Sequence, residues 1–549
     1  MRALLPACAA FVLCSVAVAA LWAWLGRPID VVAVPAGRMD CLSYVPTHRD
    51  GHPLLGADYT VPANLIARDL AAIRALTGCI RTYSTYGVQG EVLPVAAEMG
   101  LQVLLGIWIG ADETRNGKEI DAALAAAARH PRAVRAIVVG NEVLLRRDMS
   151  GERLAAIIES VKARSTHPVA YADIYHFWRR NPVVAEAADR LLVHVLPYWD
   201  DPTPVSIDAV QAHVRTILDG MRTAFPHARI EIGEIGWPSA GRTRGYAAPG
   251  RVNQARFVRE FAAQADALDM HYNLIEAIDQ PWKRLPEGTV GGHWGIFDAD
   301  RQPKFPLLGP VREWPDATAA ALFSIAACAL FLAAVLSSGR RPRLLAALGA
   351  GLSGAATGTC LWMLARQVQD LAIGAAGQIQ SAWLLIIATA GGVLLCAQAG
   401  GLPAAWRQRP ASLANVLAGV RQRSLSPARL LGLLQWAIWL PGAIAAVSLA
   451  VDGRHRDFLT LAFVLPALAL AIQARMPAAG QDPHAPESGW FALLFALAGA
   501  LAVDAPGNVE ALAWAATCLL LALPGLSAAG VEFARLRRVL STVGEAQQR

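Results

Sequence analysis

The sequence predicts a (β/α)8 barrel followed by an all-α polytopic membrane domain. Three observations carry this prediction. Eight strand-like apolar runs alternate with helix-like segments between residues 36 and 310, the pattern of a closed parallel barrel. Two of those runs end alike, each placing a glutamate where strand becomes turn: Val134–Val139 is followed by Gly140-Asn141-Glu142, and the Arg229–Ser239 stretch ends Gly233-Glu234-Ile235-Gly236-Trp237-Pro238-Ser239. From residue 317 the chain becomes rich in Ala and Leu, with charge confined to short islands. Across 549 residues the chain is 55% hydrophobic with a mean hydropathy of +0.37, too apolar for a wholly soluble protein. A doubly wound open sheet is the alternative fold, disfavoured because no Gly-rich phosphate turn follows the first strand.

Taken in order, residues 3–25 form one apolar run after Arg2. Ala17-Val18-Ala19 would serve as a signal-peptide cleavage site. The run is long enough to span a bilayer, however, and we read residues 1–27 as an uncleaved signal anchor. Either way the following segment, 28–316, is exported. Its strand candidates are 40–45, 78–84, 101–109, 134–140, 168–173, 191–198, 229–235 and 272–278. They are β-branched or otherwise apolar and are bounded by turn residues. Segments 64–77, 118–129, 150–164 and 206–224 between them carry helical spacing. Candidate spans follow at 317–337, 344–364, 380–399, 430–450, 457–474, 489–504 and 510–530, about seven, with 317–535 as the membrane domain and 536–549 as a tail.

Arginine placement orients the spans. Arg340-Arg341-Pro342-Arg343, the arginines of 406–429, Arg475 and Arg535-Leu536-Arg537-Arg538 fall on one side, while loops 365–379 and 504–509 are poor in Lys and Arg; Arg454 and Arg456 are a mild exception, offset by Asp452 and Asp457. The positive-inside rule then puts the barrel outside the cytoplasm and the C-terminus inside. A multi-pass location in a bacterial inner membrane with a periplasmic barrel is the expectation. None of the spans carries a charge near its centre, which argues against an ion relay. The net charge of +6 is modest, and no basic stripe with interleaved aromatics supports nucleic-acid binding. Of eight cysteines, six lie in apolar runs. We read Cys41 and Cys79, which begin neighbouring strands, as two buried thiols, with an export-compartment disulfide as the alternative. No spacing suggests zinc, and no metal or cofactor is expected.

In a (β/α)8 barrel the site lies at the carboxyl ends of the strands. There the sequence places Tyr83, Tyr86, Trp108, Asn141, Glu142, Asp173, Tyr175, Tyr198, Trp199, Glu234, Trp237, Glu276, Asp279, Gln280 and Trp282. Aromatic faces stack on sugar C–H surfaces, and carboxylates and amides bind hydroxyls. Two acids flanking one cleft are the minimal equipment for cleaving a glycosidic bond. Glu231 competes with Glu234 but lies mid-strand with the opposite side-chain parity. His194, His271 and His293 are read as structural or subsite residues.

Val138-Val139-Gly140-Asn141-Glu142 and Gly233-Glu234-Ile235-Gly236-Trp237-Pro238-Ser239 resemble the two active-site motifs of glycoside hydrolase family 17, the β-1,3-glucanases. Glu276–Lys283 and Gly292–Asp298, with Pro303-Lys304-Phe305, resemble closing segments of its bacterial branch. The resemblance covers about residues 38–310. It implies Glu142 as general acid/base and Glu234 as nucleophile of a retaining enzyme, with Glu142 raised in pKa so that it holds a proton near neutral pH. It further implies that Asn141 binds the sugar 2-hydroxyl, Arg81 orients the nucleophile, and Glu276 and Asp279 line subsites; Tyr198 either bonds Glu234 or packs in the core. Bacterial members with such a membrane tail are similar to enzymes that make or remodel β-(1,3)/(1,6)-glucans. The expected partners are therefore a β-glucan chain, the lipid bilayer and a membrane glucan synthase. The alternatives are a strictly hydrolytic endo-1,3-β-glucosidase and a non-catalytic glucan-binding or export component.

Overall fold

A computed structural model describes residues 4–48, 59–202, 204–339, 342–400, 403–476 and 486–526. Arg340-Arg341, the Arg535–Arg538 cluster, the end of the last expected span and the 536–549 tail lie outside the described residues. The described chain divides into two compact units, residues 28–312 and a helical unit that groups the N-terminal helix with the chain from Glu313 onward.

The first unit is a closed barrel of eight parallel strands in sequence order. They are β1 (Cys41–Ser43), β2 (Cys79–Arg81), β3 (Gln102–Ile107), β4 (Val134–Asn141), β5 (Val169–Ile174), β6 (Arg190–Val195), β7 (Ile230–Ile235) and β8 (Tyr272–Leu274). All eight fall within or against the expected runs, and the barrel replaces the doubly wound alternative. Side chains of one parity, including Leu104, Ala136, Val138, Ala170, Ala172 and Leu192, fill the barrel interior. Those of the other parity, such as Leu105, Ile137, Val139, Leu191 and Val193, join the larger core beneath the helices. The helices close over them with ordinary caps: Ser150 accepts from the amide of Arg153 at the start of Gly151–Arg164, and Asp112 from Arg115 at Glu113–Arg129.

Two departures from simple alternation matter for the site. Across β6 and β7, Leu192 pairs with Glu231 and Val193 with Ile232, but His194 pairs with Glu234. Across β4 and β5, Val138 pairs with Ala170 and Asn141 with Ala172. Each bulge inserts one residue just before the strand end and re-aims the side chains that follow. The parity argument against Glu231 therefore fails, since Glu231 and Glu234 stand opposite residues of the same parity. Position separates them instead: Glu231 lies at the amino end of β7, ion-paired to Arg190 (3.2 Å) and Arg229 (2.8 Å).

Cys41 and Cys79 form a disulfide between β1 and β2, with Cα atoms 4.5 Å apart. This overturns the reading of two free thiols. The register pairs Leu42 with Ile80, so the preceding residues sit side by side with both thiols facing the interior.

Among the described residues of the helical unit, five helices are long and apolar enough to cross a membrane: Leu5–Leu25, Ala317–Ser337, Leu344–Leu371, Gly374–Ala399 and Pro427–Val451. Thr460–Gln473, Glu487–Leu501 and Val509–Gly525 are apolar but shorter. Of the seven spans expected after the barrel, four reach spanning length among the described residues. The shorter ones fall below the ~20 residues a bilayer core needs.

Candidate active site

The carboxyl end of the barrel gathers a polar network around Glu234. Arg81, the last residue of β2, is buried and points across the interior. Its Nη1 donates to the carbonyl of Gly233 (2.7 Å) and to Oε1 of Glu234 (3.2 Å), and its Nη2 donates to Oδ1 of Asn141 (2.6 Å). Tyr83 donates to the same Oε1 of Glu234 (2.9 Å) and shares a hydrogen bond with Ser43 (2.8 Å). Burial, reinforced by the charge of Glu234, pushes the Tyr83 phenol well above its ordinary range, so it stays a donor. Asn273 backs the network, its Nδ2 reaching Ser43 (2.8 Å) and the Gly233 carbonyl (2.9 Å). Both hydrogen bonds to Glu234 fall on Oε1, so the carboxylate is oriented from one side.

Glu142 follows the β4 bulge. Gly140 has φ +91°, and Glu142 itself has φ +54°. A Cβ at Gly140 would lie 2.7 Å from Cγ2 of Val143, so this turn is built for glycine. Arg146 clamps the turn, donating to the carbonyls of Asn141 and Ile109 and pairing with Asp148 (2.8 Å). Its guanidinium lies 4.4 Å from the ring centre of half-buried Trp108. Oε1 of Glu142 meets Nδ1 of His194 at 3.0 Å. One donor atom from each of Glu142, His194 and Glu234 lies within 4.8 Å of the other two. Such spacing also suits a small cation, but the Arg81 guanidinium already sits against this set, 3.2 Å from Glu234 and 3.4 Å from His194.

Burial pushes the Glu142 carboxyl up, but the hydrogen bond from His194, with the charges of Arg146 and Arg81, outweighs it and holds the group below its ordinary range. The expected rise is thus corrected: the groups around Glu142 favour its carboxylate. Behind Glu142, the Tyr171 hydroxyl donates to Asp173, and the Asp173 carboxyl also accepts from the amide of Ile174 (2.8 Å). Burial pushes Asp173 up to about 6. Asp173 is fully buried and does not line the cleft.

Four of the expected binding residues are buried and hold contacts within the protein. Tyr198 is fully buried, and its hydroxyl donates to the carbonyl of Arg242 (2.7 Å); the bond expected from it to Glu234 is made by Tyr83. Trp237 is also fully buried, its indole donating to the Ala248 carbonyl (3.0 Å) and its ring stacked on Phe257. It is core, not a sugar platform. Asp279 is buried on Lys304 (2.8 Å) and the amide of Gly295 (2.8 Å); despite burial, Lys304 and His293 hold it below the usual carboxylate range. Glu276 is buried against Lys283 (2.9 Å), and burial carries it to about 7 against the pull of that lysine. Trp282 remains half-buried, its indole donating to Gln280 (2.8 Å), and Tyr86 is exposed. Arg146, Ser43 and Asn273 were not anticipated in the site, and His194, read only as a structural or subsite residue, lies between the two acids. For His194 a signal existed, since it continues the inward alternation of β6.

The BtgE/BtgC glycoside hydrolase domain matches residues 41–295. A glucan 1,3-beta-glucosidase of Arthroderma benhamiae is 30% identical over 256 residues, which is 43% of this chain and 82% of that protein. This chain belongs to that glycoside hydrolase family. Another relative, glucan 1,3-beta-glucosidase BGL2 of Candida albicans, is 25% identical over 261 residues, 44% of this chain and 84% of that protein. Among solved structures, an active-site mutant of the Rhizomucor miehei beta-1,3-glucanosyltransferase in complex with laminaritriose aligns at 23% identity, covering 50% of this chain and 98% of that one with a TM-score of 0.43. The family 17 resemblance drawn from the two motifs is borne out. Its bacterial branch is not, for these relatives come from Arthroderma and Candida.

Proposed function

We propose that this glycoside hydrolase is a retaining enzyme acting on β-1,3-glucan, with Glu234 as nucleophile and Glu142 as general acid/base. The observation that carries this reading is the approach of the two carboxylates to within 4.8 Å at the carboxyl ends of β4 and β7. Retaining glycosidases hold their carboxyl groups ~5–5.5 Å apart, whereas inverting enzymes need ~6.5–9.5 Å to seat a water. The names of the glucosidase relatives support β-1,3-glucan as substrate.

The chemistry follows from the asymmetry of the two environments. Glu234, fixed through Oε1 by Arg81 and Tyr83, attacks the anomeric carbon while the departing oxygen takes the proton of Glu142. Glu142, now a carboxylate, then removes the proton from an incoming hydroxyl that displaces Glu234. Water gives hydrolysis, and a sugar hydroxyl gives transfer. Arg81 occupies Oδ1 of Asn141 and so leaves its amide N–H groups for the sugar 2-hydroxyl, a contact that strengthens in the transition state. A sugar laid over half-exposed Glu142 removes water from it, and that desolvation favours the protonated form the first step needs.

The same reading places the barrel on the non-cytoplasmic face of a membrane, where it remodels or builds β-(1,3)/(1,6)-glucans beside a synthase. Two features support the placement: the arginine-rich loops, and the Cys41–Cys79 disulfide, since disulfides persist in oxidising compartments. The test is incubation of purified full-length protein with β-1,3-oligosaccharides. Products longer than the donor show transfer; only shorter ones show hydrolysis. Glu234→Ala is expected to abolish turnover, and azide to restore part of it with inverted product. Undiminished turnover in Glu234→Ala would overturn the assignment.

A further inference from the structure

His194 belongs to neither acid motif, yet it touches both acids. It lies on β6, and its side chain is fully buried. Its Nδ1 is 3.0 Å from Oε1 of Glu142, and its Nε2 is 3.4 Å from Nη1 of Arg81 and 3.7 Å from Oε1 of Glu234. Arginine has only donors. The Nε2 that faces Nη1 must therefore present its lone pair, which leaves the proton on Nδ1, pointing at Glu142. Arg81 has little freedom to turn away, being held by the Gly233 carbonyl (2.7 Å) and Asn141 (2.6 Å). Space is fitted to the ring as well, since a Cβ on Gly233 would lie 2.8 Å from Cδ2 of His194.

Resting on the acid/base assignment above, we propose that His194 is a positioning residue: held by Arg81 with its Nε2 lone pair facing Nη1 and its N–H on Nδ1, it donates to Oε1 of Glu142 and aims that carboxyl at the glycosidic oxygen. The charged and titratable groups around the imidazole are Arg81 from β2, Glu142 after β4, Asp173 from β5 and Glu234 from β7. The 3.7 Å gap to Glu234 is too long for a hydrogen bond, so the directed contact is to Glu142 alone. The device favours the second half of the reaction, in which Glu142 must accept a proton from the incoming hydroxyl.

A residue that merely fills space would change rate and stability equally at all pH values. Removing a donor to Glu142 instead lets burial dominate and raises that group. In the full-length protein, His194→Leu should therefore move the alkaline limb of the kcat/KM profile for β-1,3-oligosaccharides up by roughly one pH unit. His194→Asn, which keeps an N–H donor, should return most of that shift. A dinitrophenyl glycoside of the same sugar, whose leaving group needs no proton, should show an unmoved limb in every variant. If His194→Leu does not fold, His194→Met takes its place. The inference is overturned if the oligosaccharide limb stays put in the donor-less variant, or if both substrates shift together, which would place the effect on Glu234. Failure of the underlying assignment looks different: Glu142→Gln would keep the wild-type rate and profile on oligosaccharides whatever stands at position 194.

Discussion

Arg81 is the side chain on which the site converges, and its contacts explain why no other residue type serves there. Three acceptors on two strands, the Gly233 carbonyl and Glu234 of β7 and Asn141 of β4, are reached by one planar fork. A lysine offers a point charge that cannot span them. Arg81→Lys is expected to lower kcat by roughly 10²-fold, with a smaller change in KM, because a loosely held carboxylate attacks poorly. Kinetics on the purified variant check this, and a wild-type kcat would show that Glu234 needs no such orientation. Asp173 makes a prediction of a different kind. Its folded value of about 6 lies above the ordinary 3.8, so the folded state binds the extra proton between those limits. Stability contributed by that proton is present below ~4 and is lost as pH rises towards 6, by roughly 3 kcal/mol in all. Asp173→Asn should therefore flatten the fall in melting temperature between pH 4 and 6 relative to wild type. An unchanged slope would mean that Asp173 ionises as freely in the barrel as in the unfolded chain.

At the scale of elements, the site depends on two bulges that periodicity did not reveal. The eight strands were legible because β-branched runs end in turn residues; β7, for instance, was expected at 229–235 and spans Ile230–Ile235. Alternation within them was trusted too far. The shift between Val193 and His194 undid the parity argument about Glu231, and no residue type announces such a shift. Aromatics at strand ends were ambiguous for a related reason. Tyr198 and Trp237 follow their strands as cleft residues would, yet both turn back into the core, a choice made by loop geometry that one sequence does not encode locally. The disulfide was missed because pairing depends on register, not on strands being neighbours. The β4 bulge also makes a prediction. Alanine at Gly140 would have to adopt φ +91° and place its Cβ 2.7 Å from Val143. Gly140→Ala is expected to cost roughly 1–3 kcal/mol and to lower activity beyond the loss of folded protein, because Glu142 is two residues on. Chemical denaturation alongside specific activity separates the two effects. A variant as stable and active as wild type would show that the turn tolerates a side chain.

At the scale of the whole molecule, the question is which compartment the barrel folds in, and the disulfide connects that question to stability. Cys41 and Cys79 are 38 positions apart. Closing a loop of that length removes unfolded-chain entropy worth about 4 kcal/mol in the chain-entropy account. That contribution is present only where the bond can form, and the reducing cytoplasm opposes it. The topology proposed from the arginine loops therefore carries a stability consequence that an inward-facing barrel would lack. Denatured full-length protein should bind two more equivalents of maleimide after reduction than before, and the Cys41→Ala/Cys79→Ala double variant should match the reduced wild type, melting several degrees below the oxidised protein. In sealed membrane vesicles of known orientation, protease should digest the barrel only when the non-cytoplasmic face is outward. Digestion from the cytoplasmic face, together with thiols that label without reduction, would reverse the topology and remove the disulfide from the account at once. If instead the bond is present but the double variant melts with wild type, the native barrel holds β1 against β2 without it, and the covalent link reports the compartment while adding nothing to the fold.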